Sequence, residues 1–129
     1  MAIPSFQHTN DAPVPDDLEV NQSRKTLTVR YADGQSLVLP FELMRVYSPS
    51  AEVVGHGPGQ AVLQTGKRNI GLIGLEPIGN YAIQPQFSDG HDSGLFTWAY
   101  LKWLGEHQDA LWEDYLARVE AAGASRESL

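Results

Sequence analysis

Asp89, His91 and Asp92 crowd into one short stretch, Phe87-Ser-Asp-Gly-His-Asp-Ser-Gly94, and an aromatic run from Phe96 to Trp103 follows it. An imidazole between two carboxylates can ligate a divalent cation or serve as a general-base pair. A His-and-carboxylate metal site wants a second histidine, and His8, His56 and His107 qualify by count only. The same residues have an ordinary structural use. Asp89-Gly90 is a turn dipeptide, and Asp92 or Ser93 could cap the helix that carries Trp98.

A second run, Arg45-Val-Tyr-Ser-Pro-Ser-Ala-Glu52, offers Ser48 and Ser50 as nucleophiles that His91 and an aspartate could serve. No Gly-x-Ser-x-Gly elbow supports that reading, and the run is ordinary helix-entry sequence. Gly55, Gly57 and Gly59 precede a strand instead of a helix, so they do not form a dinucleotide loop. Gly66-Lys67 lacks the flanking residues of a phosphate loop. Tyr100 and Trp103 lie off the face shared by Trp98 and Leu101, and beside Tyr47 or Tyr81 they would make a partner-binding aromatic patch.

The elements that position these residues follow from periodicity. Leu27–Tyr31 alternates with period two, Ala32-Asp-Gly34 signals a turn, and Ser36–Leu39 continues the hairpin. Pro40 suits the start of a short helix over 41–46, and Ser48-Pro49 breaks it. Gln60–Thr65, Ile70–Leu75 and Tyr81–Phe87 read as further strands, the last with Pro85 at an edge or a bulge. Trp98, Leu101 and Leu104 have helical spacing, with Gly105 as the C-cap. A final helix starts near Asp109, with Leu111, Tyr115, Leu116 and Val119 on its apolar stripe. The expectation is an α+β fold: a small antiparallel sheet of about five strands, the short helix, and C-terminal helices packed on one face. Residues 1–24, with Pro4, Pro13, Pro15 and several aspartates, read as a flexible arm pinned at Leu18 and Val20. The domain then covers 25–122, and 123–129 frays.

Composition narrows the function classes. A chain of 129 residues supports one domain. Nine basic against sixteen acidic residues give a net charge of −7, which disfavours nucleic acid as a partner. No apolar run is long enough to span a bilayer, and the N-terminus does not read as a secretory signal, so the expected location is the cytoplasm. With no cysteine, the chain offers no thiolate for zinc or an iron–sulfur cluster.

Leu43-Met-Arg45, Ser48-Pro-Ser-Ala-Glu52, Gly79-Asn-Tyr-Ala82 and Asp89-Gly-His-Asp-Ser-Gly94 with Trp98 and Leu101 are specific as a set. On them the chain, over about residues 25–116, resembles the DUF971 family, related to the N-terminal domain of gamma-butyrobetaine hydroxylase. In those hydroxylases the catalytic 2-oxoglutarate/iron domain is separate and is absent here, so the resemblance implies no oxygenase activity. It implies a zinc module whose ligand positions fall at Ser48, Ser50, Val53 and His91. Hydroxyls are poor zinc ligands and valine is none, so no metal is expected. The resemblance further implies that Ser48, Ser50 and His91 sit together, a Ser–His hydrogen bond replacing the metal clip. Similar domains fused to Mrp-type P-loop ATPases suggest an accessory role in iron–sulfur or metalloprotein maturation.

The expected function is a non-enzymatic protein-binding or adaptor module without cofactor, with an unidentified protein partner and no membrane or nucleic-acid partner. Its expected binding residues are Arg45, Tyr47, Ser48, Ser50, Glu52, Tyr81, Asp89, His91, Asp92 and Trp98. The alternative is a small metal-dependent or small-molecule enzyme centred on Asp89, His91 and Asp92. An enzyme needs a concave pocket where His91 meets a carboxylate; an adaptor needs its tyrosines exposed together.

Overall fold

The structure, a computed structural model, describes residues 12–50 and 62–127. Strands β1 (Asp17–Asn21), β2 (Thr26–Arg30) and β3 (Ser36–Pro40) form one antiparallel sheet in the order β1-β2-β3. Helix α1 (Phe41–Val46) follows directly. Strands β4 (Leu72–Ile78), β5 (Ala82–Phe87) and β6 (Phe96–Thr97) form a second antiparallel sheet in the order β4-β5-β6, and helices α2 (Trp98–Glu106) and α3 (Gln108–Ala121) close the fold. The α+β class is as expected, but the strands divide into two three-stranded sheets instead of one of about five.

Period-two patterning explains the first sheet. Leu27, Val29 and Leu39 point inward and are fully buried, while Val38 and Arg30 face solvent. The hairpin turns at Gly34, whose φ of +90° suits glycine, and the Asp33 carboxylate accepts the Gln35 N–H at 2.9 Å. β1 pairs with β2 from Asp17↔Arg30 to Asn21↔Thr26, so the folded body begins about eight residues before the Lys25 boundary read from sequence. Leu18 is half-buried and packs against the core, which makes the end of the supposed arm an edge strand.

All six residues of α1 are buried, Glu42 and Arg45 included. The core joins both sheets to the helices: Leu27 and Leu39, Phe41 and Met44, Ile83 and Phe96, Leu101 and Leu104 share one apolar cluster. Pro85, expected at an edge or bulge, pairs with Leu75 of β4. It needs no second partner, because β6 reaches only Ala82 and Ile83. The bulge lies instead in β4, between Leu72 and Gly74.

Three local expectations are corrected. Residues 62–65, expected as part of a strand, are not one; residues 60–61 lie outside the described set, as does the Gly55–Gly59 loop. Gly105 is not a helix cap: α2 runs through it to Glu106 with His107 at the C-cap. A Cβ on Gly105 would stand 2.6 Å from Leu37 Cδ1 and 3.0 Å from Leu37 Cβ, so this glycine lets α2 pack closely on β3. Neither Asp92 nor Ser93 caps α2. Thr97 does, its hydroxyl accepting the Tyr100 N–H at 3.2 Å.

Candidate functional site

The β5–β6 connection folds back on itself immediately after Phe87. Gly90 N–H donates to Phe87 O, and Phe87 N–H donates to His91 O, each at 3.0 Å. Gly90 takes a φ of +90°, as the Asp-Gly pair requires. The turn drives the His91 ring inward beside Phe87, and only 5% of the residue stays exposed.

Inside, His91 meets the segment that leaves α1. Its Nε2 lies 2.8 Å from Ser48 Oγ and 3.4 Å from Ser50 Oγ, the tautomer deciding which atom of each pair donates. Both serines are buried. Residues more than forty positions apart in sequence are thereby held in one hydrogen-bonded cluster. The contact also explains Gly94, which sequence reasoning did not single out. A Cβ there would stand very close to Ser48 Oγ and 3.4 Å from Pro49 Cδ. We expect Gly94→Ala to lower stability by about 2 kcal/mol, because Ser48 Oγ must swing off His91. Adding Ser48→Ala removes the obstructing hydroxyl, so urea unfolding of the double variant should show it losing less than the two single losses combined. Strict additivity would contradict this account.

Beside this cluster Asp89 is a charged hub. Its Oδ1 accepts the His91 backbone N–H at 3.1 Å, and Oδ2 accepts from Arg45 Nε at 2.8 Å and Lys67 Nζ at 2.6 Å. Burial alone would raise this carboxyl. The Lys67 ammonium, the His91 N–H and the Arg45 guanidinium overcome that and hold it down at about 2. The Arg45 side chain is 8% exposed, and its Nη1 is buried without a hydrogen-bond partner among the described residues. One carboxylate thus ties α1, the 66–68 loop and the β5–β6 turn together.

Other expected site residues fall elsewhere. Asp92 is exposed, and it is its backbone carbonyl that is engaged, by the Gln84 side-chain amide. Tyr47 is half-buried: its hydroxyl donates to Leu111 O at 2.8 Å and accepts from Arg118 at 3.0 Å. Burial raises its pKa, against the opposing pull of Arg118. Tyr100 donates to the Tyr47 carbonyl and stacks on Trp103. Trp98 Nε1 donates to Asn80 O at 2.8 Å. Tyr81, 53% exposed, stands at the surface beside half-buried Trp98, whose backbone N–H donates to the Tyr81 carbonyl at 3.3 Å. Glu52, Val53, His8 and His56 lie outside the described residues.

The arrangement can be tested against both expected chemistries. Tetrahedral zinc at about 2.0 Å from its oxygen and nitrogen ligands keeps them roughly 3.3 Å apart. Ser48 Oγ and His91 Nε2 are closer than that and sit at hydrogen-bond distance. Among the described residues no three His, Asp or Glu side chains converge as metal ligands. Two neighbouring grooves of the structure lie along β3 and α3, and neither is lined by His91. Among the described residues, two serine hydroxyls and one imidazole are a poor donor set for zinc.

Ser48, Ser50 and His91 sit side by side, as the resemblance implied, whereas the Arg45–Asp89 pair was not foreseen. The gamma-butyrobetaine hydroxylase-like N-terminal family matches residues 18–102. The chain belongs to this family. The match starts within β1, in accord with the early start of the fold. Two similar proteins have NMR solution structures. One is 52% identical over 90% of this chain and 91% of its own, with a TM-score of 0.78. The other is 45% identical over 97% and 93%, with a TM-score of 0.81. A crystal structure of a DUF971 protein of unknown function from Acidithiobacillus ferrooxidans is 36% identical over 71% of this chain and 92% of its own, with a TM-score of 0.59. No curated protein matches. No helix among the described residues is long and apolar enough to cross a membrane.

Proposed function

We propose that this protein is a non-enzymatic protein-binding module, and that its Ser48–Ser50–His91 cluster is a structural clip standing where relatives hold zinc. One observation carries the reading: the residues able to do chemistry are engaged with one another. His91 Nε2 meets Ser48, and both Asp89 oxygens are occupied. A serine that His91 could activate must itself reach a substrate, and Ser48 and Ser50 are buried along with the histidine. The partner surface is then not the one around Arg45 and His91, both buried. An accessory role in iron–sulfur or metalloprotein maturation in the cytoplasm is the setting that family resemblance favours.

Metal analysis of the purified chain, paired with affinity capture from its native cell extract, tests this. The expected result is well under one metal per chain and a specific partner that is retained. Stoichiometric zinc that disappears in His91→Ala would replace the clip with a metal site. Failure to retain any specific partner would count against the binding module.

A further inference from the structure

Of the strand edges in the two sheets, that of β3 is the least guarded. β4 is interrupted by its bulge, by Pro77, and by the Gln22 side chain on Leu72 O at 2.8 Å, while β6 has only two residues. β1 lies at the opposite side of its sheet under Arg30, which pairs with Asp17 and Glu19. In β3 the bonds Tyr31 N–H to Gln35 O and Phe41 N–H to Lys25 O set the alternation. The backbone groups of Leu37 and Leu39 therefore face β2, and those of Ser36 and Val38 face outward. Val38 O accepts from a side chain, Gln108 Nε2 at 2.7 Å, and Val38 itself is half exposed.

This edge forms one wall of a groove of about 820 Å³, whose other wall is the α2–α3 corner. Glu106, Asp109, Glu113 and Asp114 line that wall, and no lysine or arginine lines the groove. Arg118 engages Asp114, leaving three carboxylates with no ion pair among the described residues.

We propose that the β3 edge is the docking surface of the binding module, and that its occupant is an extended, lysine- or arginine-bearing segment of a partner protein. The segment adds as a fourth strand beside β3, exchanging hydrogen bonds with Ser36 and Val38 and displacing the Gln108 amide. Its basic side chains on one face meet Glu106, Asp109 and Glu113, because strand side chains alternate. The proposal rests on the protein-binding reading and names its surface.

The probe is a blocked peptide of about seven residues alternating threonine and lysine, titrated into the nitrogen-15-labelled full chain and followed by NMR. Amide shifts should concentrate at Ser36, Val38 and residues 105–110, and hydrogen exchange at Val38 should slow. The Glu106→Gln, Asp109→Asn, Glu113→Gln triple variant should bind about tenfold more weakly, with Glu76→Gln as an unaffected control. The matching threonine–glutamate peptide should leave the spectrum unchanged. Shifts gathered at another surface, equal binding by the triple variant, or no response at about millimolar peptide would overturn the β3 site. A partner retained equally by wild type and triple variant would remove this site alone, whereas a wild-type chain that retains no partner would strike the module itself.

Discussion

Asp89→Asn should lower the unfolding free energy at neutral pH by about 3 kcal/mol, the scale for removing one partner of a largely desolvated ion pair. For a chain of this length that is a fall of roughly 10 °C in Tm. Asparagine keeps the shape and still suits the turn, so the loss reports charge and hydrogen bonding. Its single carbonyl oxygen cannot accept from the His91 N–H, Arg45 and Lys67 together, and its amide presents a donor where one of them needs an acceptor. Arg45 cannot absorb the change: its side chain is 8% exposed and Nη1 already lacks a partner among the described residues. The pH dependence gives an independent readout. The folded carboxyl titrates at about 2, below its ordinary value of 3.8. A depressed carboxyl contributes stability that is fully present above the unfolded value and is lost as pH falls through the folded one. The gap between wild type and Asp89→Asn should therefore close by about 2 kcal/mol between roughly pH 5 and pH 2. Urea unfolding across that range measures it; a gap independent of pH would assign the loss to packing.

That this hub escaped the sequence follows from what a single chain displays. The Asp89-Gly90 turn and the inward strands were legible because turn chemistry and period-two patterning are local. The pairing of Asp89 with Arg45 and Lys67 depends on tertiary packing across 44 and 22 residues, which no periodicity encodes. Ser48 and His91 came together only through family resemblance. Gly94 carried no local signal, because its role is the room it leaves for Ser48 Oγ. The division into two sheets was equally hidden. Alternation shows which residues face inward and says nothing about which strand each one pairs with. Aromatic rings suit both interfaces and cores, so sequence leaves open where Tyr47 and Tyr100 lie, and here their hydroxyls reach part-buried backbone carbonyls.

The C-terminal segment, which reads as frayed, should prove nearly as costly to disturb as Asp89. Gly123 turns the chain after α3 with a φ of +64°, and the segment then runs beside the 66–68 loop. Gly66 N–H donates to Ser125 O, and Arg68 N–H donates to Arg126 O, each at 2.9 Å. Arg126 grips Glu42 of α1 with two bonds, of 2.9 and 2.7 Å, while its guanidinium lies 4.9 Å from the centre of the Trp112 ring. The Glu42 side chain is 7% exposed. Arg126→Ala would strand that carboxylate in a buried helix, and we expect a loss of about 3 kcal/mol in urea unfolding. Arg126→Lys keeps the charge without the two-pronged geometry and should fall between. Combining Arg126→Ala with Glu42→Met should recover part of the loss, since the penalty lies in the orphaned charge and not in the missing bond. The neighbouring Arg68–Glu127 pair, each side chain 55% exposed, supplies the contrast: Arg68→Ala should change stability by less than about 0.5 kcal/mol. If Arg126→Ala were as mild as Arg68→Ala, the segment would be a loose tail and α1 would carry Glu42 without it. A large loss relieved by Glu42→Met would establish residues 123–127 as part of the fold that holds the clip in place.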